Sequence, residues 1–484
     1  MATPVRTEEQ GPESVATGAA AVRPGRPPAG PSTGAPGSVA ASRPRTRLRR
    51  VADARHSAPG RLRLAGALLA VLAAVFGALT LWQVDSRARA AERVVSYSQP
   101  LSQTAADIRR SLADADTTAA TGFLLAGAEP KAVRQRYEDD LATASRLITE
   151  AAARTTASSP AQAWLSSLNQ GIPTYAGLVE TARANDRQGF PLGGAYLRYA
   201  SQQMRGTLLP AAAKLAAEED RALARDYAEA GAAPWAAYGL GLVALTALVL
   251  VQRVLFRRTN RVFNIGLVGA TAAVLAALLF LAGGSWVVND RLARAKQAGS
   301  VPLEALNTAR VDVLTARLAE NLHLVARGSS TIYADLWAAT TEELTGKAAP
   351  DGRPGQGGAL ADAQRLAPAE AAEALTRART EYATWFARHA AAVTKESSDG
   401  DYQGAVDATI TVREADVPNT SDASFAATDL QLEKAAVIEQ ARFRQSASGT
   451  AALLETLAAG AGVLALLAAV SAVRGLGRRL AEYR

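Results

Sequence analysis

The sequence predicts an all-α integral membrane protein with four transmembrane helices and two tandem extracytoplasmic four-helix-bundle domains. Four uncharged apolar stretches are each close to the ~20 residues that a helix needs to cross a bilayer. Only 5% of the 484 residues are aromatic, and the chain is rich in alanine, which favours helices over strands. Long charged segments with helical periodicity separate the apolar stretches. These stretches are 64–82, 230–251, 262–288 and 456–473.

The composition excludes several classes of enzyme. The chain has no cysteine and 3 histidines, so thiolate catalysis, zinc ribbons and iron–sulfur clusters are excluded. The histidines, His56, His323 and His389, are too far apart in the sequence to suggest a metal centre. No phosphate-binding loop, nucleophile elbow or histidine pair on one helix face is present. The sequence therefore predicts a nonenzymatic protein that uses no cofactor and no metal.

The distribution of charge predicts the topology. The formal net charge is +8, but residues 1–63 carry +7, residues 252–261 carry +4 and residues 474–484 carry +3, whereas residues 85–229 are neutral and residues 289–448 carry −5. Short loops on the cytoplasmic side of a membrane are enriched in basic residues. We therefore expect a multi-pass plasma-membrane protein with both termini in the cytoplasm. The lipid bilayer accounts for the basic charge, and no nucleic-acid partner is expected.

Each region of the chain has a predicted extent. Residues 1–60 are rich in proline, glycine, alanine and serine and are expected to form a disordered basic cytoplasmic tail. Ala88-Arg89-Ala90 has the small-x-small pattern of a signal-peptide cleavage site, so cleavage after the first span stays open as an alternative. The other predicted regions are transmembrane helices at 62–84, 232–252, 264–288 and 450–473, extracytoplasmic bundles at 85–231 and 289–449, a cytoplasmic connector at 253–263 and a cytoplasmic tail at 474–484.

Four helices are expected in the first bundle. Leu101, Ala105, Ile108 and Leu112 begin a run of apolar residues spaced alternately by four and three, which keeps one helix face against a partner. This helix is expected to continue the first span outward. Proline and glycine clusters end the later helices, and Pro210 is expected to kink the last of them. The later helices are predicted at about 131–155, 161–188 and 195–230, the last running into the second span.

The second long segment repeats this plan at an offset of about 202 residues, since Pro100-Leu101 has a counterpart in Pro302-Leu303. A proline- and glycine-rich insertion at 348–358 is expected to be a mobile loop. Later helices are predicted at about 368–394, near 404–412, and from 421 into the last span. The chain is therefore interpreted as a tandem duplication of span, bundle and span.

The candidate partner-binding residues lie at the membrane-distal ends of the bundles and in the connector. Aromatic and arginine side chains suit a protein interface, although each could instead be a core or capping residue. The arginine-rich connector is expected to contact a soluble cytoplasmic partner. The candidates are Phe123, Arg134, Tyr137, Asn321, His323, Arg327, Tyr333 and Trp337 at the distal ends, and Arg253, Arg257, Arg258 and Arg261 in the connector.

Glu455 is the one ionisable residue predicted inside a span. Carboxylates within a membrane are costly and often mark an interhelical contact or a relay. Glu455 lies near the outer end of its span, however, so its side chain could equally extend to the membrane interface. Both interpretations stay open at this stage.

Two runs of sequence resemble a known family. Residues 113–130, ADADTTAATGFLLAGAEP, with Arg136-Tyr137 after them, resemble the first bundle of the GlnX-like four-span membrane proteins of actinobacteria, and residues 320–329, ENLHLVARGS, resemble the second. The resemblance extends from residue 64 to the C-terminus. It implies a role between an extracytoplasmic glutamine- or aspartate-binding lipoprotein and a soluble serine/threonine kinase. It supplies no catalytic residues.

Two functions are compared on these grounds. The leading hypothesis is a nonenzymatic transmembrane signal transducer that passes amino-acid availability from an extracytoplasmic binding protein to a cytoplasmic partner, the kinase. The alternative is a direct receptor that binds an amino acid between bundle helices. A transporter is less favoured, because the spans contain no broken-helix pair and no polar stripe to line a path. The ligand and the oligomeric state, including a homo-oligomer, stay open.

Overall fold

The computed structural model describes residues 58–125, 129–259, 264–411, 419–447 and 449–481. Their regular structure is helical and no strand occurs among them, which confirms the all-α prediction. Nearly all of the predicted tail at 1–60 lies outside the described residues. The α-helices are α1 Ala58–Arg93, α2 Gln99–Leu124, α3 Lys131–Arg154, α4 Ala161–Arg187, α5 Leu192–Gln203, α6 Leu209–Gly231, α7 Trp235–Thr259, α8 Ile265–Ala295, α9 Val301–Val325, α10 Ile332–Thr345, α11 Gly358–Leu366, α12 Ala369–Ser397, α13 Tyr402–Thr409, α14 Ser421–Ala447 and α15 Thr450–Ala481. Three π-helical turns are π1 Val94–Ser98, π2 Met204–Leu208 and π3 Lys296–Ser300.

Four helices, α1, α7, α8 and α15, contain stretches long and apolar enough to cross a membrane. α15 packs along both α1 and α8, and α7 contacts the same two helices, so the four form one bundle. Small residues allow the closest approach. A Cβ atom on Gly266 of α8 would lie 2.6 Å from the backbone nitrogen of Gly475 on α15. The bundle therefore depends on backbone contact at this point.

Two of the spans continue without a break into the extramembrane region. α1, π1 and α2 form one helical rod, and α8, π3 and α9 form another. The expectation that the last helix of each segment also runs unbroken into its span is wrong. Residues 232–234 separate α6 from α7, because Pro234 disfavours a helical conformation in the residue before it. Gly449, with a φ of 80°, separates α14 from α15.

Each π-helical turn ends two residues before a proline, namely Pro100, Pro210 or Pro302. Proline has no N–H group with which to continue the α-helical hydrogen bonding. In π1 the Gln99 N–H donates to the Val94 carbonyl, five residues back, and the other two turns have the same register. At Pro210, where the sequence predicts a kink, the structure has the π turn π2. Such turns are frequent at functional sites.

The two extramembrane segments share a core around α2 and α9. These helices leave their spans in the same direction and pack against each other. Residues 111–120 of α2 and 316–322 of α9 are buried on every face. The Thr117 hydroxyl donates to the Leu314 carbonyl at 3.0 Å, and the Asn321 amide donates to the Thr121 hydroxyl at 2.8 Å. The remaining helices of each segment pack around this central pair, so the two predicted bundles are joined along it.

The insertion at 348–358 forms a sequence of turns. The Ala349 N–H donates to the Arg353 carbonyl at 2.9 Å, and the Gly357 N–H donates to the Thr345 carbonyl at 2.8 Å. Gly358 begins α11, a helix that the sequence did not predict. The expected mobility of this loop stays a prediction.

Candidate functional site

Several of the predicted distal residues are buried in the shared core. Tyr137 is 3% exposed and lies under the Arg183 guanidinium, whose carbon is 4.3 Å from the ring centroid. Asn321 is fully buried and links α9 to α2. Tyr333 and Trp337 are also buried, and Trp337 stacks on His389 with ring centroids 3.6 Å apart. Partner binding by these side chains stays a prediction, which their burial does not favour.

The other predicted distal residues are more accessible. His323 lies with its Nε2 atom 2.9 Å from Glu396, which ties α9 to α12. Arg134 is paired with Glu138 and Glu180 on the surface. Arg327 is exposed and has a φ of 49°, with its guanidinium over the Tyr402 ring. Phe123 is half-buried and packs against the first segment's core. Among these residues, Arg327 and the side chain of Arg134 are the most exposed to solvent.

The structure exposes a different set of aromatic residues at the distal end. Leu192, Tyr196 and Tyr199 are spaced by four and three along α5 and so share one of its faces, with Leu192 60% and Tyr199 59% exposed. Ile332, at the start of α10, is 60% exposed and lines one groove with Tyr199. This groove, of about 720 Å³, also contains Arg198, Arg205 and Asp335. We call these four apolar residues, together with Arg198 and Arg205, the distal surface.

Sequence reasoning missed this surface. The glycine and proline at 188–191 predict only the end of a helix. In the structure, Phe190 among these residues is 53% exposed. The spacing of Leu192, Tyr196 and Tyr199 was a detectable signal, but it also suits a stripe that faces a core. Leu197 and Ala200, on the other side of α5, enter the core. Only the tertiary packing distinguishes the two faces.

A buried hydrogen-bond network connects the distal surface to α2. The Ser201 hydroxyl donates to one oxygen of Asp116 at 2.8 Å, and the Tyr175 hydroxyl donates to the other at 3.0 Å. Burial raises the pKa of Asp116 to about 6, while the hydroxyl groups and the positive charge of Arg205 oppose the increase. Arg205 also lies 5.8 Å from the centroid of the Tyr333 ring. Ser201, through its hydrogen bond, and Arg205, through its charge, therefore link α5 and π2 to the central helix α2.

Replacing Asp116 with asparagine is expected to remove part of the pH dependence of stability. The folded-state pKa of about 6 exceeds the ordinary 3.8, so the fold binds this proton more tightly than the unfolded chain does. The ionised carboxylate therefore destabilises the fold above about pH 6, and this penalty disappears as the pH falls towards about 4. Between about pH 7.5 and 4.5, acid should stabilise the wild type relative to the variant by on the order of 2 kcal/mol. Unfolding of the full chain in micelles at both pH values measures this difference.

The comparison with the wild type isolates Asp116 from other titrating groups. Burial and the charge of Asp114 raise the pKa of Asp140 to about 8, and burial raises the pKa of Glu219 and of Glu439 to about 7. These groups are present in both proteins, so their effects cancel. Asp362→Asn, at an exposed position, is the matched control. Parallel pH profiles for wild type and Asp116→Asn would contradict the raised pKa.

The helices α2–α6 and α9–α14 outside the spans form one region, which we call the head. At the base of the head, a buried arginine joins three helices. Arg87 of α1 is 2% exposed. It donates to the Ala230 carbonyl of α6 and the Ser285 hydroxyl of α8, each at 3.0 Å, and to Asn289 at 3.3 Å. The guanidinium therefore holds α1, α6 and α8 together at the point where the helices leave the spans.

The remaining predicted residues lie in or next to the spans. Arg253 and Arg257 are exposed at the end of α7. The side chain of Arg258 and all of Arg261 lie outside the described residues. Glu455 is exposed on α15, six residues into the helix, and this exposure favours a side chain that extends to the membrane interface over an interhelical contact.

The fold and these sites define an all-helical protein. It has four helices that could cross a membrane and one helical head that both extramembrane segments share. Within the described ranges, no group of histidine, aspartate and glutamate residues could hold a metal ion. Residues 90–228 match the family described as the actinobacterial sensor domain. Comparison with curated proteins and with solved structures finds no match.

The match supports an actinobacterial sensor protein with a sensing or signalling role, and this family points to a role other than catalysis. The matched residues run from the end of α1 to α6 and thus include π1, Asp116 and most of the distal surface. Together with the four apolar helices, the match supports a membrane location.

Proposed function

We propose that the chain is a nonenzymatic transmembrane signal transducer that passes amino-acid availability from an extracytoplasmic solute-binding protein to a cytoplasmic partner. The binding protein docks on the distal surface, and the cytoplasmic partner, a soluble serine/threonine kinase, contacts the connector. The resemblance to GlnX-like proteins supports the lipoprotein and the kinase as these two partners. The charge distribution supports the orientation, with both termini in the cytoplasm.

The exposed distal surface is the observation that carries this proposal. Tyrosine and arginine are enriched among residues that contribute most to protein interfaces. Arg198 and Arg205 are accompanied in the groove by a single carboxylate, that of Asp335. The groove therefore presents a net positive charge around an apolar centre, which suits a partner with a complementary acidic patch.

The continuous rods supply the route to the membrane. A partner that moves Arg205 or Ser201 acts on Asp116 of α2, and α2 continues through π1 into α1. Because α2 packs against α9, the same movement reaches α8 through π3. Helix shifts of about 1–2 Å are typical of signalling transitions. The π turns are the points where such rods change register most easily.

The output is at the cytoplasmic end. Arg253 and Arg257 project from the last turns of α7, which contacts both α1 and α8. A displacement of either rod therefore alters the position of these arginines. Exposed guanidinium groups suit an acidic surface on a soluble partner.

Photocrosslinking from the distal surface tests the proposal. A photoreactive amino acid at Ile332, in native membranes, is expected to capture an extracytoplasmic solute-binding protein that mass spectrometry identifies. The substitution Arg198→Glu reverses a charge in the same groove and should lower the crosslink yield about tenfold or more, since tenfold corresponds to 1.4 kcal/mol.

Arg353→Glu is the matched control, because Arg353 is 82% exposed and lies in the insertion, outside this groove. It should leave the yield unchanged. Equal yields for both variants, or crosslinks to a second copy of the same chain alone, would contradict docking at the distal surface.

A further inference from the structure

A second cavity lies at the opposite, membrane-proximal end of the head. It is a cleft of about 470 Å³, a size that suits a small ligand. Its walls are α2, α6 and the rod formed by π3 and α9. α2 and the rod formed by π3 and α9 continue into the spans α1 and α8, and α6 leads to the span α7 across residues 232–234.

Two carboxylates from different segments line the cleft. Asp220 of α6 accepts a hydrogen bond from the Ser102 hydroxyl at 2.6 Å, and Glu304 projects from α9. Among the described residues, neither carboxylate makes an ion pair with a side chain of the protein. Burial raises the pKa of both groups, and the charge of Asp220 contributes to the raised pKa of Glu304, while the charge of Lys296 opposes it. A positive charge placed between them would relieve this repulsion.

Three basic residues line the same cleft: Arg221, which pairs with Glu218, and Arg109 and Lys296, which lie on either side of the carboxylates along their helices. Arg109 lies seven residues beyond Ser102 on α2, roughly 10 Å farther from the membrane, and Lys296 lies eight residues before Glu304, roughly 12 Å nearer to it. Arg109 also lies close enough to Asp312 of α9 for its charge to oppose the raised pKa of that carboxyl. The cleft therefore offers carboxylate acceptors for an ammonium group in the middle and the guanidinium group of Arg109 for an anion toward its distal end.

We propose that this cleft binds a small zwitterion carrying a primary ammonium and a carboxylate, the chemistry of an α-amino acid. The ammonium lies between Asp220 and Glu304, and the carboxylate lies on Arg109. The site does not depend on the distal surface, because its ligand contacts helices that lead to the membrane on their own. A single ligand here bridges the two segments and would fix the relative position of both continuous rods.

Thermal unfolding of the full chain in nanodiscs tests the cleft without any partner protein. Each standard amino acid is added alone, over a concentration series. At least one should raise the unfolding midpoint saturably, by about 3 °C or more, since a ligand that binds the folded state alone stabilises it. No shift with any of them would overturn the proposal.

Analogues of the active amino acid test whether the wild-type protein recognises both charges of the ligand. The N-acetyl derivative lacks the ammonium and the decarboxylated amine lacks the carboxylate. Each should therefore need an at least tenfold higher concentration to reach half of the maximal shift. An amine that binds as well as its parent would show a cation site alone and would overturn the zwitterion. These measurements need no substitution, so they hold even if a variant fails to fold.

Substitutions in the cleft test where the ligand binds. We expect the ligand-induced shift to disappear, or to need an at least tenfold higher ligand concentration, in the double variant Asp220→Asn/Glu304→Gln. The same result is expected in the single variant Arg109→Gln. The double variant Asp362→Asn/Glu373→Gln removes two exposed carboxylates elsewhere on the second segment and should bind normally. Normal binding by the cleft variants would overturn the site. Since no docking partner is present, loss of crosslinking at Ile332 and loss of this binding are distinguishable results.

Discussion

Replacing Arg317 with methionine is expected to destabilise the second segment by about 3–5 kcal/mol, because it leaves a buried carboxylate without its counter-charge. Arg317 is fully buried and contacts Glu320 at 2.6 Å and Asp422 at 2.9 Å. The Trp385 indole N–H also donates to Glu320, at 2.9 Å. Burial alone would raise the pKa of Glu320, but Arg317, His389 and Trp385 together lower it to about 2. Glu320 therefore stays ionised only as long as these partners remain.

Urea unfolding followed by tryptophan fluorescence measures this loss, since Trp337 and Trp385 lie in the same core. Arg377→Met is the matched control. Arg377 is 61% exposed and pairs with Glu373, so its loss should cost no more than ~1 kcal/mol. The double variant Arg317→Met/Glu320→Gln should recover part of the stability, because no unpaired charge remains buried. Equal midpoints for Arg317→Met and Arg377→Met would show that the buried pair does not hold this segment together.

Replacing Gly266 with leucine is expected to disrupt the packing of the four spans. A Cβ atom on Gly266 would lie 2.6 Å from the Gly475 nitrogen and 2.7 Å from the Ser471 carbonyl oxygen. These are backbone atoms of α15, which cannot rotate away as a flexible side chain can. Overpacking typically costs ~1–3 kcal/mol, and a clash with backbone belongs at the upper end of that range or beyond it. The fraction of monodisperse protein after heating in detergent micelles measures the effect.

Gly283→Leu is the control within the same helix. Gly283 lies on an exposed face of α8, and a Cβ atom there would meet no other atom within 4 Å. Leucine favours helix formation over glycine, so this variant should be as stable as the wild type or slightly more so. If both variants keep the wild-type stability, the close approach of α8 and α15 does not limit span packing.

Local sequence was sufficient for most of the helices and for the spans. The predicted helices at 131–155 and 161–188 agree closely with α3 and α4, because Pro130, Pro160 and Gly189 act on the backbone of their immediate neighbours. The four apolar stretches coincide with α1, α7, α8 and α15 because bilayer thickness sets their length. The short helix α11 was missed because the glycine and proline signals around it dominate the local pattern.

The candidate site could be predicted only in part. The sequence predicted that aromatic and arginine residues gather at the distal ends, and it selected Tyr137, Tyr333 and Trp337, which are buried. Buried and exposed aromatic residues have the same helical spacing, so periodicity alone does not distinguish them. The exposed residues Tyr196 and Tyr199 lie on a helix whose opposite face fills the core. The cleft at the base has no sequence signature, because its carboxylates are 84 positions apart, at Asp220 and Glu304.

The sequence by itself determined an all-helical chain, four spans and the positions where proline interrupts the helices, because hydropathy, charge and backbone restriction act over one or two turns. The tertiary structure alone decided that α2 and α9 pack together as one core and that the exposed aromatic face belongs to α5. These outcomes depend on contacts between residues about 200 positions apart, such as Thr121 with Asn321. No local pattern contains them, because burial of one helix face is decided by the surface of the helices that pack against it.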